Sequence, residues 1–385
     1  MAKGRIGLDI GSTAVRAVEV TGGDSPAIVH AAQVPLPAGA VESGEVRDPE
    51  IVAEALKELW QRGGFKGRRV YMGVGNQRVV VREIALPYLP EKELRASLGF
   101  QVQEFIPMSV DEAVIDFDPL GEFEQDDRRM LRMLLVAAQR TMVDALVAAV
   151  SAAKLEPLGL DLVPFAIVRS VGSGDGGMDL EDEGDEAVID IGAHVTNIVV
   201  HASGTTRFVR ILPSGGRDVT IAIARALGVD DEIAEQLKRG EEVDPAVLRA
   251  SAAAAETSDE ATDDVPDQSA GPQRPDLPPG SLDLSRVREI AMQRAASFVD
   301  EIRSSLEFYT AQSSGSTIVR VVVTGGGSKL EGFMDLLRQR FSAQVEPGQV
   351  FQRITSGLTL SPEAQHEAEP LLAVAAGLAI PGRTG

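Results

Sequence analysis

Two short segments of this chain echo one another. Leu8-Asp9-Ile10-Gly11-Ser12 recurs as Ile189-Asp190-Ile191-Gly192-Ala193. Each ends one strand-like run and is followed by another, Val15–Val20 and Asn197–His201. An internal repeat constrains the fold more tightly than composition does. Two half-chains that each open strand, Asp-x-Gly, strand predict a duplicated α/β fold with a cleft between the halves. At 385 residues, the chain is long enough to bury more than one core.

Such a pair of turns has a chemical use. Glycine lets the backbone turn tightly and approach a ligand, and successive N–H groups in the turn form an anion-binding nest. Ser12 and Thr13 add hydroxyl donors, and Arg16 on the returning strand adds a charged one. The carboxylates of Asp9 and Asp190 repel a bare phosphate. They make sense with Mg²⁺, still carrying water, between them and the phosphates. One Asp-x-Gly alone is usually an ordinary hairpin turn. Two in matching positions favour the cradle.

Two further glycine turns complete the pattern. Val321–Val323 leads through Thr324 into Gly325-Gly326-Gly327-Ser328-Lys329, a buried strand, a bare turn and a helix start, on which a base or ribose can lie. Ser214-Gly215-Gly216-Arg217 precedes a helix at Val219–Leu227. Glu235 and Lys238 then lie three apart on one helix face. They suit hydrogen bonds to a ribose and an adenine edge, and equally a surface ion pair.

Composition removes several alternatives. With 37 Lys+Arg against 58 Asp+Glu, the formal charge is −21. Nucleic acid and an anionic membrane surface both need a basic footprint, so neither is expected as the main partner. There is no cysteine, which excludes disulfides, thiolate nucleophiles and Cys-ligated zinc or iron–sulfur centres. Four scattered histidines make a histidine-rich metal site unexpected. No signal-peptide core and no apolar run of about 18–20 residues is present. The expected location is the cytoplasm, with any membrane attachment through a partner.

Elsewhere the pattern predicts a helix capped by Asp48 with Pro49 at its first position, carrying Ile51, Ala55, Leu56, Leu59 and Trp60 at helical spacing. Residues 87–160 read as a separate small α/β module: a helix after Pro90, strands Ala113–Phe117 and Met130–Ala138, and a helix at Thr141–Lys154. Residues 175–186 hold seven acids and read as a solvated loop. Residues 251–280, with five prolines and no aromatic residue, read as a disordered insertion. A long amphipathic helix follows, then a buried strand at Ile318–Val323, a helix at Glu331–Phe341 and a last one at Glu369–Ile380. Gly172–Gly177 matches a dinucleotide fingerprint but leads into acids rather than a helix, so it reads as a loop. His194 beside the second turn reads as a satisfied strand-end histidine rather than a water-positioning group.

The order of these motifs resembles the actin-like ATPase superfamily. Segments of the small module, among them Glu104-Phe105-Ile106-Pro107 and Leu160–Ala166, resemble more narrowly the PilM family of type IV pilus assembly ATPases, which is FtsA-like. The resemblance implies two actin-like (ribonuclease-H-like) lobes. Residues 1–86 and 161–186 would form the first, and 187–216 with 316–385 the second. Residues 87–160 would be a partner-binding module, and 217–315 a helical subdomain with the insertion at about 245–284. It implies ATP or ADP with Mg²⁺ flanked by Asp9 and Asp190. Gly11, Ser12, Thr13, Arg16, Gly192 and Ala193 would hold the phosphates. Gly215, Gly216, Glu235, Lys238, Gly325, Gly326, Gly327, Ser328 and Lys329 would line the nucleoside. No catalytic residue is assigned. It further implies a cytoplasmic platform, peripheral at the inner face of the cytoplasmic membrane, that binds the N-terminal tail of a PilN-like membrane protein and other pilus components. An FtsA-like filament-forming division adaptor and a sugar-kinase-type phosphotransferase remain alternatives.

Overall fold

A computed structural model describes residues 4–173 except 24, 184–251 except 203, 245 and 249, and 284–382 except 314. The first lobe begins with β1 (Arg5–Ile10), β2 (Ala14–Val20) and β3 (Ala27–Pro35). A small hairpin follows, β4 (Val41–Glu42) and β5 (Glu45–Val46), then α1 (Pro49–Gly63) and β6 (Arg69–Val74). The small module carries β7 (Val79–Pro87), α2 (Glu91–Val102), β8 (Ala113–Gln125) and β9 (Arg128–Gln139). The chain returns through α3 (Arg140–Ala152), β10 (Glu156–Leu162) and α4 (Val163–Val171).

The second lobe has β11 (Asp185–Ile191), β12 (Thr196–Ala202), β13 (Thr205–Leu212), α5 (Gly216–Leu227) and α6 (Asp231–Lys238). After the segment 252–283 come α7 (Leu284–Gln312), β14 (Ile318–Thr324), α8 (Phe333–Arg340) and β15 (Gln344–Pro347). α9 (Val350–Arg353), β16 (Thr355–Ser356) and α10 (Pro362–Ala379) close the chain.

The duplication is explicit in the sheets. The first runs β10-β6-β1-β2-β3-β16, and the second β13-β12-β11-β14-β15. In each, an antiparallel meander (β1-β2-β3, β11-β12-β13) extends on its other side through two parallel strands (β6 and β10, β14 and β15). Both sheets bury two faces, so β11 is buried along its whole length. Alternate residues serve different cores. Val188 packs with α4 and α10 between the sheets, whereas Ala187, Ile189 and Ile191 face α7 and α8. Val18, Val20 and Ile28 close the central layer from the first sheet, and α1 and α3 cover that sheet's other face.

Local chemistry sets the element ends. Asp48 caps α1 by accepting from the Glu50 and Ile51 N–H groups, with Pro49 next, and Gly64 ends it at φ 67°. Val52 and Ala53 complete its buried face, while Ile51 is exposed. α10 fits the narrow central layer because its buried turns are small. A Cβ on Gly7 would stand 2.0 Å from the Ala375 carbonyl oxygen, and one on Gly377 1.9 Å from that of Ala166.

Several expected boundaries move. Val79–Pro87, expected in the first lobe, pairs with β9 in the small module's sheet, β7-β9-β8. Thr141–Lys154, expected in the module, packs instead in the first lobe's core through Met142, Leu146, Ala149 and Val150, and β10 joins the first sheet. The β8–β9 hairpin extends past Phe117 to a turn at Asp126 and Asp127. α7 is shared: Val287 and Ala291 pack with α5 and α6, but Ala295–Tyr309 cover the second sheet. Asp185 and Glu186 do not belong to a solvated loop. They open β11, where Glu186 pairs with His201 and Arg320 and Asp185 accepts from the Tyr309 hydroxyl. The acidic stretch 175–183 and almost all of the expected insertion at 251–280 lie outside the described residues. Among the described residues, no helix is long and apolar enough to cross a membrane.

Candidate functional site

The two Asp-x-Gly turns are built alike. In the first, the Gly11 N–H donates to the Ala14 carbonyl at 3.1 Å, and Asp9 pairs across the hairpin with Arg16. In the second, the Gly192 N–H donates to the Val195 carbonyl at 2.9 Å, and Asp190 pairs with Asn197. The pairs Asp9–Arg16 and Asp190–Asn197 thus occupy one register in two copies of the same hairpin.

The aspartates lie near enough for the charge of Asp9 to act on Asp190. Burial pushes the Asp190 carboxyl up to about 7; the Asp9 charge adds to the rise, and Asn197 and Arg16 oppose it. Burial also raises the Asp9 carboxyl, against the guanidinium of Arg16 at 3.3 Å. Asn197 donates from Nδ2 to Asp190 at 3.4 Å, while its buried Oδ1 has no hydrogen-bond partner. A buried carboxylate, Asp190, and a half-buried one, Asp9, beside an orphaned amide oxygen form an oxygen-lined place for a cation. No cluster of three or more His, Cys, Asp or Glu able to hold a metal occurs among the described residues. An ion held by this pair would be a hard divalent one that keeps water in its remaining positions.

The other turns converge on the second Asp-x-Gly. The N–H groups of Gly216 and Arg217 donate to the carbonyls of Gly192 and Ala193 at 3.0 and 2.8 Å. A Cβ on Gly215 would stand 2.5 Å from the Gly192 oxygen. Gly325, at φ +87°, lies so close that a Cβ would meet Asp190 Oδ1 at 2.6 Å, and one on Gly327 would meet Ile191 Cγ2 at 2.4 Å. Asp218 caps α5, accepting from the Gly215 N–H and the Ser214 hydroxyl, each at 2.8 Å. The Ser328 hydroxyl donates to the Gly325 carbonyl at 2.7 Å.

Lys238 reaches this turn from α6. Its ammonium donates to the Gly216 carbonyl (3.1 Å), the Thr220 hydroxyl (2.9 Å) and Glu235 (2.5 Å). Burial lowers the Lys238 ammonium, with Glu235 opposing. Burial lifts Glu235, but Lys238, Thr220 and Arg239 outweigh it and leave the carboxyl below its ordinary range. Glu235 and Lys238 are thus an organised, part-buried pair at a glycine turn, not a loose surface pair.

The remaining expected residues fall as follows. Ser12 is half-buried and Thr13 exposed, its carbonyl accepting from Leu36. Arg16 is already held by Asp9 and Gln33. Gly326 is exposed, and Lys329 turns to Glu367 of α10. His194 accepts from the Ser43 N–H of the first lobe at 3.4 Å. Its imidazolium is disfavoured first by burial and then by Arg217. Asn197, Thr220 and Asp218 were not singled out from sequence. Asn197 has a signal there, since it follows Asp190 by the same spacing as Arg16 follows Asp9.

Comparison with known proteins bears on this arrangement. A family model described as type IV pilus assembly protein PilM matches residues 7–248. The chain belongs to the PilM family of type IV pilus assembly proteins. The PilM match runs through the first lobe and the small module into α5 and α6. A model of the cell division protein FtsA matches residues 187–377, within the second half. FtsA of Pseudomonas aeruginosa is 28% identical over 172 residues, 44% of this chain and 37% of that protein. FtsA of Bacillus subtilis is 24% identical over 258 residues, 61% of this chain and 57% of that protein. The chain thus spans well under two thirds of the length of these curated relatives. Among solved structures, a PilM-PilN type IV pilus biogenesis complex has a TM-score of 0.76 at 28% identity, covering 97% of both chains. EutJ, an ethanolamine utilization protein from Carboxydothermus hydrogenoformans, gives 0.53 at 16% identity over 99% of this chain and 91% of its own. MreB5 of Spiroplasma citri bound to ADP gives 0.50 at 12% over 97% and 94%. These last two share the fold. This PilM-family chain has the duplicated actin-like architecture, with the Gly215-Gly216 and Gly325–Gly327 turns packed against the second Asp-x-Gly.

Proposed function

We propose that the protein is an ATP-binding assembly platform of the type IV pilus machinery that holds the cytoplasmic tail of a PilN-like membrane protein. The observation that carries the nucleotide half is the Asp9–Asp190 pair, matched in register and close enough for one charge to act on the other. Mg²⁺, bound with ATP or ADP, supplies the positive charge that these carboxylates and the phosphates require. Gly11, Ser12, Thr13, Arg16, Gly192 and Ala193 would hold the phosphates, Arg16 supplying the charged donor that now pairs with Asp9. Gly215, Gly216, Glu235, Lys238, Gly325, Gly326, Gly327 and Ser328 line the nucleoside, and Lys329 with Glu367 closes the rim. MreB5 of Spiroplasma citri, which shares the fold, is bound to ADP. Among the described residues no side chain is assigned as a base, and the proposed role is holding the nucleotide rather than rapid turnover.

The partner half rests on the family and on the PilM-PilN complex among the solved structures. The small module supplies a surface for it. Strands β7 and β13 are each the edge of their own sheet and flank a groove of about 340 Å³ lined by Gln77, Val79–Val81 and Val209–Ile211. An extended tail there can pair with backbone that neither sheet uses. Binding through such a tail would hold the protein at the inner face of the cytoplasmic membrane. Co-purification from native membranes, with and without Mg·ATP, read by mass spectrometry, tests this. Recovery of a single-span protein with a short cytoplasmic tail is expected. Recovery of division proteins instead would favour an FtsA-like adaptor, and recovery of no membrane protein would remove the partner assignment.

A further inference from the structure

Three parts of the molecule meet at the β4–β5 hairpin. Its two-residue turn is Ser43-Gly44, at φ 49° and 76°, the left-handed pair of a tight hairpin turn. On one side, the Ser43 N–H donates to His194 Nδ1, across the cleft and next to Gly192 and Ala193. On the other, the Gly44 carbonyl accepts from Asn76 Nδ2 at 3.0 Å, and Asn76 is only 1% exposed. Space there is tight, since a Cβ on Gly44 would stand 2.9 Å from Asn76 Cβ. The hairpin is therefore held against the segment that follows β6.

The same hairpin grips the base of the small module. Glu45, whose side chain is 13% exposed, pairs with Arg78 at 2.5 Å and with Arg47 at 3.2 Å. Arg78 donates onward to Gln139 Oε1 at 2.6 Å, and its carbonyl accepts from the Gln139 N–H at 3.1 Å. Arg78 directly precedes β7 and Gln139 ends β9, so this pair is the root of the module. Glu45 is sheltered while Arg78 is exposed, so the pair is screened less than one exposed on both sides, and the Gln139 bond adds a second anchor for the guanidinium. A second line runs beneath it: a Cβ on Gly75 would stand 2.7 Å from Asn197 Oδ1, the amide beside Asp190. The phosphate-side turn and the module root are thus joined by named polar contacts through a single hairpin.

We infer that the β4–β5 hairpin carries the state of the second Asp-x-Gly turn to the root of the small module, through His194–Ser43 on one side and Glu45–Arg78–Gln139 on the other. The inference rests on the nucleotide reading above and gives that site a mechanical output. Ligand that draws the second lobe's turn inward shifts Ser43, and the hairpin turns Arg78 and the two module roots with it. Coupling of this kind is reciprocal, so what is bound at the module alters affinity at the cleft by the same factor.

Hydrogen–deuterium exchange on the full chain, with and without Mg²⁺ and a non-hydrolysable ATP analogue, tests it. In the wild type, exchange slows by about fivefold or more both at 189–197 and at the module roots 79–83 and 134–139, in the usual range of such couplings. Arg78→Ala keeps the protection at 189–197 and loses it at the roots, and Arg78→Lys, which retains the charge toward Glu45, restores it. Unchanged exchange in α4 shows that each variant is folded. Protection at 189–197 without any at the roots in the wild type, or root protection that survives Arg78→Ala, overturns the inference. No protection at 189–197 in the wild type overturns the nucleotide reading itself.

Discussion

A carboxyl group held near neutrality makes the empty protein sensitive to pH. Asp190 titrates near 7 in the fold, against an ordinary value of 3.8. The raised value means that the folded state binds this proton more tightly than the unfolded chain does. Its contribution is therefore fully present below about pH 4 and is lost as pH rises through 7. Asp190→Asn keeps the shape and removes the charge. Without metal or nucleotide, the variant is expected to melt higher than wild type at pH 8, by a few kcal/mol at most, and to match it at pH 4. Thermal unfolding at the two pH values checks this, and an equal effect at both would show that the Asp190 charge is not the cause. The two matched turns, Asp9 with Gly11 and Asp190 with Gly192, were legible because their spacing repeats. Asn197 stands at the spacing of Arg16 in the first turn, but a residue of different chemistry at the matching position does not by itself announce a role. Asp185 and Glu186 were hidden for a related reason. They end an acidic run, but the partners that allow their burial, Tyr309, His201 and Arg320, come from other elements.

Among the elements, α10 shows how close packing places the site. It lies between both sheets and α4, and the Pro370 carbonyl near its middle accepts from the Gly325 N–H at 3.1 Å. Moving this helix moves the turn that abuts Asp190. Gly377→Ala adds a methyl 1.9 Å from the Ala166 carbonyl, and backbone on both sides leaves nothing soft to yield. A loss of about 3 kcal/mol is expected, read as a lower urea midpoint, whereas a change within about 0.5 kcal/mol would mean that the helix seats differently. Sequence showed the apolar half of α10 but not its start. Ser361 caps the helix and Pro362 opens it, but residues 362–369 are mostly polar and the helix contains Pro370. β8 was cut short for a comparable reason. The register shift between Pro119 and Gly121 breaks the two-residue alternation that marks a strand.

The whole molecule is a pair of like sheets clasping two helices, with a third sheet rooted beside the cleft. The duplication could be read from ten residues, because both halves keep the same chemistry at the same turn. The module's boundaries could not. Its root strands are continuous in sequence with the first lobe, and only pairing assigns β7 to β9, while α3 rests on α1. The two lobes are proposed to hold one Mg·nucleotide against Asp190. Isothermal titration of the purified full chain with Mg·ATP reads this binding. One site per chain is expected, with affinity at least about tenfold weaker in Asp190→Ala, the equivalent of about 1.4 kcal/mol. Undetectable binding by the wild type, or unchanged affinity in Asp190→Ala, would contradict it.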